Sequence, residues 1–93
     1  MRAAEGGKRP AARTDVVFRA LAREWVLYDP DTRKLHVLNL TAALVWSLCD
    51  GAHDREEITR SVRKTLEDPP DEATVRTHVA DALETFMQEG LLA

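Results

Sequence analysis

The stretch DPDTRKLHVLN, residues 29–39, decides how this chain is read. Asp29, Pro30 and Asp31 favour a turn, because proline presets φ and aspartate bonds its own backbone. Leu35, Val37 and Leu38 follow with only Lys34 and His36 between them, a short run suited to a strand. Asn39 then accepts helical N–H groups better than it extends a strand. The segment therefore predicts a turn over 29–33, a strand over 34–38 and a helix opening at 40.

Working outward, VVFRAL (16–21) and EWVLYD (24–29) are β-branched and aromatic, and predict two more strands. The turn at 29–33 closes the second strand on the third as a hairpin, giving a three-stranded meander. Downstream, Leu40, Leu44 and Leu48 recur at four-residue spacing with Val45 and Cys49 one position round, so a helix is expected over 40–50 with Gly51 as its left-handed terminator. Asp54 and Glu57 form a capping pair, and Ile58, Val62 and Leu66 predict a helix over 55–67. Pro69 and Pro70 break the chain. Asp71 caps a third helix whose stripe is Val75, Val79, Ala82, Leu83 and Phe86, with Gly90 at its end and Leu91 folding back on Phe86. Three strands followed by three helices make an α+β domain: a three-stranded antiparallel sheet with its helices on one side, winged helix-turn-helix-like in outline.

Residues 1–14 are rich in Ala, Gly, Arg and Pro without periodicity, and are expected to be a disordered basic tail preceding a domain at 15–93. Ninety-three residues allow one core and no buried cofactor chamber. No apolar run is long enough to span a membrane, and the N-terminus lacks the apolar core of a secretory signal. One cysteine forms no internal disulfide, so a reducing cytoplasm is the expected setting.

Charge is unevenly placed. Residues 1–23 carry six Arg or Lys against two acidic groups, a balance of +4, whereas residues 24–93 carry seven against fourteen, a balance of −7. An acidic body argues against nucleic acid as its partner. Residues 71–89 hold five carboxylates against Arg76 alone, so a third helix offered to a DNA groove would be repelled.

Nothing in the chain reads as a catalytic constellation. His36, His53 and His78 lack a second ligand at a recognised metal spacing, so no metal or cofactor is expected. Cys49 ends an apolar helical row, where a thiolate gains no stabilisation, and reads as a buried structural thiol. The carboxylates sit at caps and on solvated helix faces, and no phosphate loop or nucleophile motif occurs. The chain is therefore not read as an enzyme.

The ordered set YDPDTRKLHVLNLTAALVWSLCDG, then a D-x-E-E-I helix and a terminal EGLL, resembles the PqqD-like family of peptide chaperones, also called RiPP recognition elements. Asp29, Pro30, Thr32, Leu38, Asn39, Thr41, Ala42, Asp50 and Gly51 match the family pattern, and Leu40 replaces its usual proline, a swap at the first helical position. The resemblance covers about residues 16–93. It implies a domain that captures the leader of a ribosomally made precursor peptide and delivers it to a modifying enzyme, such as a radical SAM enzyme or a leader peptidase. The leader would add as a strand to the third strand and pack against the third helix. Carried onto this chain, those surfaces are Lys34, Leu35, His36, Val37 and Leu38 with Val75, Arg76, His78, Val79 and Ala82. Leu83 and Phe86 are assigned to the core. The chemistry of the third strand agrees with this: an unpaired edge offers N–H and C=O groups to another chain. A DNA-binding regulator and a purely structural subunit are the competing readings, and the same open edge allows homodimerisation.

Overall fold

A computed structural model describes residues 9–93. Three strands, β1 (Val17–Ala20), β2 (Trp25–Asp29) and β3 (Lys34–Leu38), precede three helices, α1 (Leu40–Ser47), α2 (Arg55–Thr65) and α3 (Glu72–Gln88). The sheet is antiparallel in the order β1-β2-β3, so β3 is an edge. Its register sets Leu27 against Phe18 and His36, and Val26 against Arg19 and Val37.

The 29–33 turn forms because Asp29 organises it. Its carboxylate accepts from the Asp31 N–H at 2.9 Å, and its carbonyl accepts from the Arg33 N–H at 2.7 Å. Arg33 takes φ of 61°, the left-handed step that turns the chain back into β3.

The helix caps follow the sequence. Asn39 accepts from the Ala42 N–H at 2.8 Å, worth about 1 kcal/mol for a cap of this kind. Asp54 and Glu57 exchange reciprocal bonds at 2.9 Å, a complete capping box. At the end of α3 the Leu91 N–H donates to the Phe86 carbonyl at 2.9 Å and the Gly90 N–H to the Met87 carbonyl at 3.1 Å, with Gly90 at φ 73°. That pair of bonds is a Schellman ending, which only a residue free to take positive φ closes without strain.

Leu27, Val45, Ile58, Val62, Val79, Phe86 and Leu91 lie at the centre of one core, closed at its margin by Leu38 and Trp46. Trp46 meets Phe86 edge to face at 5.2 Å and 79°. Fully burying side chains of this size contributes about 1.5–3 kcal/mol each.

Three expectations need correction. Helix α1 ends at Ser47, so Gly51 is not its terminator. Gly51 instead turns at φ 80° and donates its N–H to the Pro10 carbonyl at 3.0 Å. The inward residues of α1 are Ala43, Val45 and Trp46, while Leu40 is exposed. A helix apolar on nearly every side carries no phase, so spacing alone mis-set it. The expected tail also includes a bonded part: residues 1–8 lie outside the described ones, but residues 10–13 are tied down by backbone bonds. Ala12 donates to the Cys49 carbonyl at 2.8 Å, Arg13 to the Leu91 carbonyl at 3.0 Å, and Ala93 to the Ala11 carbonyl at 2.7 Å.

Candidate functional site

Alternation along β3 separates its side chains into two sets. Lys34, His36 and Leu38 share the face of Leu27 and turn toward the helices, whereas Leu35 and Val37 share the face of Val26 and point away from them. The sequence left this parity open. The outer edge of β3 has no strand partner among the described residues, so alternate main-chain N–H and C=O groups there are unpaired.

Beside that edge lies a groove of about 550 Å³ between the end of β3, the start of α1 and the flank of α3. Its apolar wall comes from Leu38, Leu40, Ala42, Ala82 and Phe86, and Val37 borders it at the strand edge. Its polar rim comes from Thr41, His78, Asp81 and Thr85. A larger hollow of about 610 Å³ lies on the opposite flank of α3, where Leu83 and Met87 face Arg9 and Pro10. It adjoins no strand edge and mixes charges of both signs, so it lacks what an extended chain would bond.

The ten residues expected at the site separate accordingly. Lys34, Leu35, His36, Val37 and Leu38 all lie on the edge strand, and Val37, Leu38, His78 and Ala82 line the groove. Val75 and Val79 do not: both are fully buried in the core between helices and present no surface to a guest. Arg76 is also elsewhere. It binds Glu56 of α2 at 2.9 Å and Glu72 at 3.0 Å, across α3 from the groove, and Glu56 holds its guanidinium more firmly protonated. Phe86 serves the core and also forms the groove floor. Besides Phe86, the groove is lined by Asn39, Leu40, Thr41, Ala42, Asp81 and Thr85, none of them among the ten expected.

His36 brings an unusual atom to the inner side of the edge. Its ring Nε2 is buried and has no hydrogen-bond partner. Cys49 is buried, and that burial pushes its thiol up to about 12, with Asp50 adding to the effect; it is inert as a nucleophile. His53 is occupied with Asp50 at 2.9 Å.

One end of the groove is braced. Arg13 reaches Asp15 at 2.7 Å, Asp29 at 3.1 Å, Asp31 at 2.9 Å and the Gly90 carbonyl at 2.8 Å. It thereby ties the β2–β3 turn to the end of α3. These bonds hold the Asp15 and Asp29 carboxyls below the usual carboxylate range, the hydrogen bond from Arg13 being the largest cause in both. Lys34 and Glu89 span the same end at 3.8 Å. The opposite end, past Asn39 and Asp81, is open.

The sequence matches the family described as coenzyme PQQ synthesis protein D (PqqD) over residues 24–92. No curated protein sequence matches it. Among solved structures it is similar to TbiB1 in complex with the TbiA(beta) leader peptide. The TM-score is 0.72 at 24% identity, covering 88% of this chain and 93% of that one.

Proposed function

The chain belongs to the PqqD family, and on that premise we propose that it captures the leader segment of a ribosomally made precursor peptide and presents it to a peptide-modifying enzyme. The observation that carries this reading is the unpaired edge of β3 running beside an apolar groove. A similar fold was solved with a leader peptide bound, which supports the same occupant here.

The mechanism is strand addition. The leader pairs antiparallel to Lys34–Leu38, taking affinity from main-chain bonds that the edge leaves unmade. Its alternate side chains fall on the inner side, where Leu38, Ala82 and Phe86 receive apolar anchors. Each buried anchor contributes about 1.5–3 kcal/mol before ordering costs are deducted. Two or three anchors then place binding between micromolar and tens of nanomolar. A disordered leader loses chain entropy on binding, which keeps affinity moderate and lets the product leave. The module supplies recognition and proximity, and the covalent chemistry belongs to the partner. Its one thiol is inert and buried, which suits the cytoplasm.

Titrating the isotope-labelled chain with a synthetic precursor leader tests the reading. Amide shifts are expected in residues 34–38 and on the Ala82 flank of α3. Shifts confined to α2 would refute it.

A further inference from the structure

The groove beside β3 is walled by apolar and neutral polar side chains, and Asp81 is the one formally charged residue among those that line it. Asp81 is exposed at the open end and makes no ion pair among the described residues. The carboxylates at the braced end are already answered. Asp15, Asp29 and Asp31 bind Arg13, and Glu89 faces Lys34 at 3.8 Å. Arg76, the only basic residue of α3, is held by Glu56 and Glu72 across the helix from the groove. Glu84, one turn beyond Asp81, is exposed and adds to the negative field of this flank. The start of α1 brings fractional positive charge to the same end, but Asn39 caps it, whereas the whole charge on Asp81 stands unanswered among the described residues.

We infer that Asp81 selects a lysine or arginine of the leader, placed on the N-terminal side of the leader's apolar anchors; the inference rests on the leader-capture reading. The side follows from strand direction. α3 runs opposite to β3, with Glu89 beside Lys34 and Ala82 beside Leu38 in the groove wall. A leader antiparallel to β3 therefore runs in the same sense as α3, entering at the open end and leaving past Lys34. It passes Asp81 before its anchors reach Ala82 and Phe86. In a parallel leader the same cation would follow the anchors, so its place reports the direction of the added strand.

Leu40 gives the choice of side chain. It lines the groove at the open end and is 45% exposed. The aliphatic stem of a lysine or arginine lies along such a surface while its charged head reaches a carboxylate. An aspartate or glutamate at that leader position meets like charge and gains no comparable apolar contact.

The test uses the full chain and a synthetic precursor leader, with affinity read by fluorescence polarisation at low and at high salt. An alanine scan of the leader marks its anchors, and each other position is then replaced in turn by Lys and by Glu. At one or two adjacent positions before the anchors, Lys is expected to bind about five- to tenfold tighter than Glu at low salt, with the preference shrinking at high salt. Asp81→Asn should reduce that preference to within about twofold, and Asp81→Lys should reverse it. Reversal is a charge effect that a folding defect does not produce, and Asp81→Asn decides if the lysine variant loses its circular dichroism spectrum. A preference left intact by Asp81→Asn overturns the inference, as does one confined to positions after the anchors. Leader binding with no charge preference before the anchors overturns this inference alone, whereas no leader binding by the wild-type chain overturns leader capture and the inference with it.

Discussion

Replacing Ala82 by tryptophan tests the groove directly. Ala82 is half-buried on the flank of α3, one position before the fully internal Leu83, and its methyl lines the 550 Å³ groove opposite Val37 and Leu38. An indole at that position projects into space that a leader anchor would use. Loss of one fully buried aliphatic anchor forfeits about 1.5–3 kcal/mol, which is roughly 10- to 150-fold in affinity. The added ring does not enter the packed interior, so unfolding free energy should move by less than about 1 kcal/mol. Fluorescence polarisation with a labelled leader reads the first quantity, and urea denaturation reads the second. Ala82→Ser, which keeps the groove open, should bind within about threefold of wild type after a helix-propensity cost of about 0.5 kcal/mol. Leader affinity unchanged in a stably folded Ala82→Trp chain would refute the placement of the leader in this groove.

Proline scanning of β3 reads the direction of its amides, since Leu35 and Val37 point theirs to one side and His36 to the other. Proline on the edge-facing set should weaken the leader with little change in urea midpoint, and proline on the set bonded to β2 should lower both; equal behaviour at 35 and 36 contradicts strand addition. Phe86→Ala removes a ring that is 1% exposed and stacked edge-on against Trp46, and should cost about 3–5 kcal/mol in chemical denaturation. A loss under 1 kcal/mol would mean the core is not centred there. Arg13→Met should destabilise the chain more at neutral pH than in acid. Asp15 and Asp29 have lowered native values, so their stabilisation is complete above the unfolded carboxylate range near 4 and is lost as pH falls through the folded values. The stability gap between wild type and Arg13→Met is expected to narrow as pH falls below the unfolded carboxylate range, and a pH-independent gap would contradict the ion-pair account.

Local chemistry made β3 and every helix start legible. The turn residues, Asn39, the Asp54–Glu57 box and the Gly90 ending each act within four or five residues, and each closes in the structure as the sequence implies. The phase of α1 was not legible, because Leu40, Leu44 and Leu48 are as apolar as the residues that face inward. Val75 and Val79 were assigned to the groove for a related reason. A stripe marks which side of a helix is apolar but not which part of it another helix covers. The ordered segment at 10–13 left no local trace at all. Its partners are at 49–51 and 90–93, and Arg13 finds three carboxylates and a carbonyl that only the folded chain gathers. Thr41, Ala42, Asp81 and Thr85 escaped for the same cause, since the groove exists only where α1 crosses α3.

An open strand edge is ordinarily an aggregation hazard, and this chain handles it with charge rather than cover. Lys34 stands at the start of β3 and Arg33 just before it, and both are exposed. Two copies pairing β3 edge to edge in parallel bring these like charges together, a cost of the order measured for opposed charges in a sheet, up to about 1 kcal/mol per pair. A leader with neutral or acidic residues at those positions pays nothing comparable and gains the same main-chain bonds. The guard against self-pairing and the selection of a guest are then the same few side chains. Removing them, as in Arg33→Gln/Lys34→Gln, should raise self-association in sedimentation measurements and weaken discrimination against basic peptides. A strictly monomeric double variant that still rejects basic peptides would separate the two roles and break this link.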